Sequence, residues 1–492
     1  MDYLEVPEEE LSENENEDDG EKGQDSGLDI TDEGNDGETG AETKGDDELK
    51  RGWACLPDVC LRQVFSLLRD HDRVKAVLVC HNWHGVMHSP SLWRARSFIL
   101  SGRVSRTRRS ELEKAVCFAQ TYGRYLETLE IRFSHPLNSL VTRRLQQTLR
   151  TFLTALRKTS GRLRCLTINH MELDRVTWCS SVRSALVCSL AYYLRREGSR
   201  LGHLSLRGAR FNLAQGLEVL EAVAAAQQHV HLAPRPGITD LDLEDFFSQS
   251  LTVFSCLTFP KVMNCFRGLC TLRLNYSCIS TELLEALAAG CRSVSGAGTL
   301  RTFSIRCHAN EPHFQPVWGD AWFRLVRSCP ELQVHVTVER ILNVEVLGRI
   351  LLREIPLRSF SLASCYFSEP DWSAKPFLTD LLPCYSGCLQ RLSLDLNNSH
   401  EYVDEELLDV VLGCPRLIYL KVWAFLDISF LDMLLQKRLE RQTTVQTIKV
   451  RIYTSKYETE EEDEKLEAVY SRYRQLIDSE LHYYIATSYP ML

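Results

Sequence analysis

From Leu126 onward, apolar positions return in an LxxLxL pattern: Leu126/Leu129/Ile131, Leu163/Leu166/Ile168, Leu201/Leu204/Leu206, Ile238/Leu241/Leu243, Leu269/Leu272/Leu274 and Leu300/Phe303/Ile305. A distorted copy at Leu332, Val334 and Val336 follows, then Leu357/Phe360/Leu362, Leu389/Leu392/Leu394, Leu417/Leu420/Val422 and Val445/Ile448/Val450. Successive copies begin 37, 38, 37, 31, 31, 32, 25, 32, 28 and 28 residues apart, which defines a repeat array. Each copy reads as a short strand and then an amphipathic helix. In VDEELLDVVLGCPRL (403–417), for example, Leu407, Leu408, Val411 and Leu412 form the expected buried face. One such unit cannot enclose its own apolar side, so neighbours must stack. The wide early spacings predict long helices or insertions in the first repeats.

A second pattern precedes the array. Leu61, Val64, Phe65 and Leu68 fall at i, i+3, i+4 and i+7, a helical stripe with Leu56 and Pro57 just before it. Val74, Val77, Leu78 and Cys80, then Trp83, Val86 and Met87, continue in short helical segments after Asp70-His71-Asp72. So many apolar residues in a unit of about 45 residues exceed what it can bury alone, which implies a partner.

The landmarks Leu56-Pro57, Leu61, Val64-Phe65, Leu68, Asp72, Val79-Cys80, Trp83 and Leu92-Trp93 stand in the order and spacing of the F-box, and the segment is identified as a member of that family. Arg73 departs from it, since an apolar residue usually follows the Asp. The resemblance implies a three-helix unit that docks on the adaptor Skp1 of cullin-based ubiquitin ligases through Leu56, Pro57, Leu61, Val64, Phe65, Leu68, Val79, Cys80 and Trp83. The array in turn resembles the cysteine-containing leucine-rich repeats common downstream of F-boxes, with Cys291, Cys329 and Cys414 near the ends of its units.

The expected fold is therefore an α/β repeat solenoid, a leucine-rich-repeat horseshoe, preceded by a small all-α three-helix F-box and a disordered acidic N-terminal tail. The expected divisions are the tail at 1–50, the F-box at 51–96, a helical connector at 97–120, the solenoid at 121–457 and an acidic, helical cap at 458–492.

Charge refines this picture. Of the 492 residues, the first 50 hold 21 Asp+Glu against three Lys, a net of −18, with too few apolar residues to offset the entropy of ordering. The remainder holds 54 Lys+Arg against 45 Asp+Glu, a net of +9 that is too dilute by itself to indicate nucleic acid. The tail serves as a solubilising segment or as an intramolecular pseudo-ligand for the basic body. Arg103, Arg106, Arg108 and Arg109 form a basic cluster that suits nuclear import, an acidic ligand or a plain solvated helix face. No run of about 18 apolar residues and no signal peptide stand in the chain, and its 18 scattered cysteines include no CxxC pair, so an intracellular, reducing setting in cytoplasm or nucleus is expected, without membrane association.

Catalytic signatures (GxSxG, GxxxxGK[ST], HExxH) are absent from the sequence. Cys80, His81, His84 and His88 have helical metal-like spacing, but F-box packing accounts for Cys80, so no metal and no cofactor is expected. Recognition remains. Between the core-facing leucines, alternate strand residues face the opposite side of the sheet. Arg273, Arg306, Lys421, Trp423, Lys449 and Arg451 are the substrate-binding candidates among them, the last four a cation–indole set suited to an acidic or phosphorylated protein. The resulting expectation is a non-enzymatic substrate receptor that joins Skp1, and through it cullin, to a target protein for ubiquitination. The alternative is a Skp1-binding scaffold or sequestering protein.

Overall fold

The computed structural model describes residues 53, 56–68, 70–101, 111–159, 161–228, 237–290, 299–341, 343–363, 372–453 and 460–488. The acidic tail, the Arg103–Arg109 cluster and Cys291 lie outside the described residues. The chain divides into residues 1–57, of which Trp53, Leu56 and Pro57 are described, and residues 58–492.

The larger unit opens with three short helices, α1 (Asp58–Leu67), α2 (Asp70–Ala76) and α3 (His81–Met87). A strand–helix alternation follows: β1 (Ala95–Leu100), α4 (Glu111–Tyr122), β2 (Thr128–Phe133), α5 (Ser139–Thr159), β3 (Cys165–Asn169), α6 (Ser180–Glu197), β4 (His203–Ser205) and α7 (Leu213–Gln228). It continues with β5 (Asp240–Asp242), α8 (Thr258–Met263), β6 (Thr271–Asn275), α9 (Thr281–Gly290), β7 (Thr302–His308), α10 (Gly319–Ser328), β8 (Gln333–Glu339) and α11 (Val344–Ile350). Last come β9 (Leu357–Ala363), β10 (Arg391–Asp395), α12 (Asp404–Gly413), β11 (Tyr419–Ala424), α13 (Ile428–Leu439), β12 (Thr447–Tyr453), α14 (Glu460–Glu480) and β13 (His482–Ser488). The strands form a single parallel sheet of 13 in strict sequence order, an arrangement consistent with a repeat solenoid.

Register explains the LxxLxL motif. Leu129, Leu166, Leu204, Leu241, Leu272, Phe303 and Val334 stand beside one another across seven strands, all essentially buried. The alternation is cleanest in β7 and β8, where every second residue is buried and the intervening ones are half-exposed. Parallel sheets covered on both faces read as continuous apolar runs. Here one face packs on the helices and the other remains open, which makes the open face available to ligands. The wide early spacings are taken up by α5, α6 and α7, of 21, 18 and 16 residues.

The structure differs from the expected elements in three places. The stretch expected as a helical connector begins as β1, whose core-side positions Arg96, Phe98 and Leu100 align with Leu129, Ile131 and Phe133. Arg96 hides this strand from the apolar pattern: its guanidinium lies over the rings of Trp93, Phe98 and Phe118 at 5.1–5.8 Å, so a cation occupies a position where leucine stands elsewhere. The C-terminal segment is likewise not all helix. β13 pairs with β12 and turns Tyr483 and Ile485 inward, without the leading leucine that marks the other copies. In α12 the buried residues are Leu407, Val410 and Val411, while Leu408 and Leu412 are half-buried.

Candidate protein-binding sites

The helical stripe of α1 divides between inside and outside. Leu61 and Phe65, one turn apart, are fully buried, and Phe65 meets the Trp83 ring edge-on with centroids 5.1 Å apart. Cys80 caps α3, its Sγ accepting from the Trp83 backbone N–H at 3.5 Å. Leu61, Phe65 and, in part, Cys80 and Trp83 thus build the unit's own interior. Among the expected contact residues, Val64 and Val79 are exposed at 39% and 59%. Leu56 and Leu68 are half-buried, and Pro57 is exposed. Three residues outside the expected set join the outer surface: Val59, Leu67 and Leu78, exposed at 65%, 84% and 82%. Five large aliphatic side chains are thus left in water within 21 positions of the chain, more than scattered surface exposure needs. Val59 and Leu67 were legible as apolar positions off the main stripe; only the packing showed which side would be covered.

Arg73, the departure from the family pattern, has a structural task. Its Nε donates to the Phe65 carbonyl at 3.0 Å and Nη2 to the Ser66 carbonyl at 3.0 Å, while Nη1 reaches the Leu92 carbonyl at 3.3 Å. The guanidinium caps the end of α1, bonding the Ser66 carbonyl and adding a second donor to the Phe65 carbonyl, which also accepts the Leu68 backbone N–H at 3.2 Å. Beyond α3, the Trp93 Nε1–H donates to the Met87 carbonyl at 2.8 Å, and the indole stacks on Tyr122 with centroids 4.6 Å apart. Phe98 and Phe118 complete this aromatic cluster, which joins the helical unit to the first strand–helix repeats.

On the open face of the sheet, charge is organised in two zones. In the middle, opposite charges neutralise one another. Arg273 pairs with Asp240 at 3.0 Å; Arg306 is held between Glu244 and Glu339; and Arg207 pairs with Glu244 at 2.6 Å. Arg273 and Arg306, two of the expected substrate-binding residues, stand beside carboxylates in this structure: Asp240 on β5 for Arg273, and Glu244 just past β5 with Glu339 on β8 for Arg306. The expectation followed one strand at a time, whereas these acids arrive through sheet register.

The second zone spans β10, β11 and β12. Lys421 and Lys449 are register neighbours, as are Trp423 and Arg451. The Lys421 ammonium lies 4.1 Å and the Arg451 guanidinium 4.2 Å from the Trp423 ring centroid. One strand over, Arg391 sits 4.1 Å above Tyr419, with Lys449 at 5.9 Å. Trp423 is half-buried on the open face, neither free in solvent nor part of the core. Among the described residues, none of Arg391, Lys421, Lys449 and Arg451 has an ion-pair partner. The indole and phenol hold four like charges together, with Asp395, the register neighbour of Trp423, the carboxylate at their edge; the cations outnumber it, so an incoming anion relieves their repulsion. An open cleft of about 900 Å³ adjoins this zone at the strand ends; its lining is of mixed charge, with Glu401, Asp427, Asp432 and Glu462 beside Lys465 and Arg472, and Arg472 is paired with Asp432 at 2.6 Å. The Tyr453 hydroxyl ties it to the ladder by donating to Asp395 at 3.0 Å.

Near α3, the His84 and His88 rings lie with centroids 4.5 Å apart and planes tilted by 38°, and His88 Nδ1 bonds the His84 carbonyl. Among the described residues, Asp245, His308 and Glu311 bring potential ligand atoms within 4.8 Å of one another. Both imidazole nitrogens are already engaged, however, with Asp245 at 2.9 Å and Glu339 at 2.7 Å. Burial alone would lower the His308 pKa, but the two carboxylates outweigh it and push it up to about 9. A cationic imidazole has no lone pair for a metal. Burial raises the Glu311 carboxyl to about 7, against hydrogen bonds donated by Asn275 at 2.5 Å and the Ser277 backbone at 3.1 Å. The trio belongs to the neutralising network.

Residues 53–99 match the family described as F-box-like. The match covers the three helices, the Trp93 turn and most of β1. It points to Skp1 binding in a complex of the Skp1, cullin and F-box type. No helix among the described residues is long and apolar enough to cross a membrane.

Proposed function

We propose that the protein is a non-catalytic substrate-recognition adaptor of a Skp1–cullin–F-box ubiquitin ligase. The F-box-like helices bind Skp1, and through it cullin; the leucine-rich-repeat-like solenoid binds a target protein and promotes its ubiquitination. The observation that carries this reading is the F-box-like match at 53–99 together with aliphatic side chains left exposed on that same segment. Skp1 contact falls on Val59, Val64, Leu67, Leu78 and Val79, with Leu56 and Pro57 beside them in sequence. Leu61, Phe65, Cys80 and Trp83 support the contact from within.

The target is held at Lys421, Trp423, Lys449 and Arg451, joined by Arg391 and Tyr419, and its chemistry is acidic or phosphorylated. Acceleration of ubiquitin transfer comes from proximity, since a target lysine held near the activated ubiquitin experiences a raised effective concentration. No side chain of this chain takes part in bond making.

Purified Skp1 should bind the wild-type protein stoichiometrically in size-exclusion chromatography and lose binding to a Leu67→Asp/Val79→Asp variant of unchanged thermal stability. Undiminished binding by that variant would overturn the assignment of the Skp1 surface, and absence of binding by wild type would overturn the function.

A further inference from the structure

The net positive charge is concentrated in one stretch of the sequence, most of it carried by the helices α5 and α6. Residues 139–200 hold 12 Lys+Arg and three Asp+Glu, a net of +9, which equals the excess of the whole chain after residue 50. The rest of the body is therefore close to neutral. α5 alone contributes Arg143, Arg144, Arg150, Arg157 and Lys158 and contains no acid; all five are exposed. Among the described residues none of them has a carboxylate partner, unlike the cations of the central strand face.

Their spacing is regular. Arg143, Arg150 and Arg157 recur every seven residues, two helical turns, so they stand in a row with steps of about 10.5 Å. A groove of about 400 Å³ runs between α5 and α6 beside this row, with Leu153, Ala185, Cys188 and Tyr192 among its lining residues and no acidic side chain. Arg157 is fixed at its edge by donating to the Tyr192 hydroxyl at 2.7 Å, with the guanidinium 5.4 Å from the ring centroid. A second groove of about 590 Å³ lies on the other flank of α5, against α4; it shares Arg150 and Thr154 and also lacks acids.

We infer that the α5–α6 groove is a docking site for an acidic amphipathic helix of a partner protein, laid along α5. A helix with carboxylates at heptad spacing matches the Arg143–Arg150–Arg157 row step for step, and its apolar residues meet Leu153, Ala185 and Tyr192. Double-stranded nucleic acid fits less well. It carries a charge about every 1.7 Å of its axis, so a stretch as long as the row presents roughly twelve phosphates to three arginines. The site is separate from the Skp1 surface and from the strand face, and it does not depend on the assignment of either.

The test uses the full chain and a fluorescent synthetic helical peptide with Glu at every seventh position and Leu on the same face. An isomer of identical composition, its Glu residues dispersed around the helix, and a random-sequence DNA duplex are the comparators. Anisotropy titration should show the phased peptide binding at least about tenfold more tightly than the isomer and than the duplex. The Arg143→Glu/Arg150→Glu/Arg157→Glu variant should abolish the preference, and so should Cys188→Trp, which fills the groove without changing charge. Circular dichroism establishes that both variants are folded, and Arg143→Lys/Arg150→Lys/Arg157→Lys should retain binding if either charge reversal or groove filling disrupts the helices. Equal binding of the two peptides, or retention of the preference in a folded Cys188→Trp variant, overturns the inference. Tighter binding of the duplex replaces it with a nucleic-acid surface.

Discussion

Arg73 shows how a residue at odds with its motif can be a local solution. Bonded to three carbonyls at the end of α1 and near Leu92, it replaces the expected apolar contact with a polar one. Arg73→Leu restores the family's usual residue type yet leaves those carbonyls without this donor, so it should destabilise the helical unit by about 1–2 kcal/mol, measured by chemical denaturation of the unit's tryptophan fluorescence. His308 offers a second residue-scale prediction. Its folded pKa of about 9 exceeds the ordinary 6.5, so its contribution to stability is complete below pH 6.5 and is lost as pH rises through 9. Melting temperatures of wild type and His308→Gln should differ most at about pH 6 and converge by about pH 10. A constant difference across that range would show that the imidazolium is not what the carboxylates stabilise. Burial of Glu311 acts in the same direction at lower pH: charging it costs stability as pH climbs from 4.5 through about 7.

Among the elements, α1 carries two opposite faces that one periodic stripe did not separate. Phe65 is wholly enclosed, and Phe65→Ala should cost about 3–5 kcal/mol and unfold the small unit locally. Leu67 is 84% exposed, and Leu67→Asp should leave folding untouched while removing Skp1 binding. Hydrogen exchange across residues 58–93 distinguishes the two outcomes: loss of protection in the first variant, native protection in the second. Eleven of the 13 strands were legible from LxxLxL, because a leucine facing helices every second residue leaves a periodic trace. β1 and β13 were not legible: Arg96 fills a core position by spreading its guanidinium over three rings, and Tyr483 stands where a leucine would. The candidate face was half legible for a related reason. Alternation identified the outward residues, including Lys421, Trp423, Lys449 and Arg451, but neutralisation of Arg273 and Arg306 depends on acids brought alongside by strand pairing.

For the whole molecule, the aromatic cluster of Trp93, Phe98, Phe118 and Tyr122 joins the F-box-like helices to the first strand and helix of the sheet region, and the adaptor function we propose makes that junction testable. An adaptor works by fixing the distance between two bound proteins, so a loosened junction should reduce ubiquitin transfer while leaving both binding events intact. Trp93→Ala should lower the rate of target ubiquitination in a reconstituted assay with Skp1 affinity within about twofold of wild type. Equal rates would show that the junction's rigidity is irrelevant to transfer.

The amino-acid order alone determined the kinds of element and their succession, because burial of apolar side chains against a helix or strand imposes periods that can be counted along the chain. It also determined the separation of a strongly acidic N-terminal segment from a basic body. Tertiary packing alone decided which apolar residues of the F-box-like unit are consumed internally and which remain for a partner. It likewise decided which cations on the strand face are neutralised, and that α5 keeps its five without carboxylate partners among the described residues. Charge pairing and solvent exposure arise between residues far apart in sequence, and no local period records them.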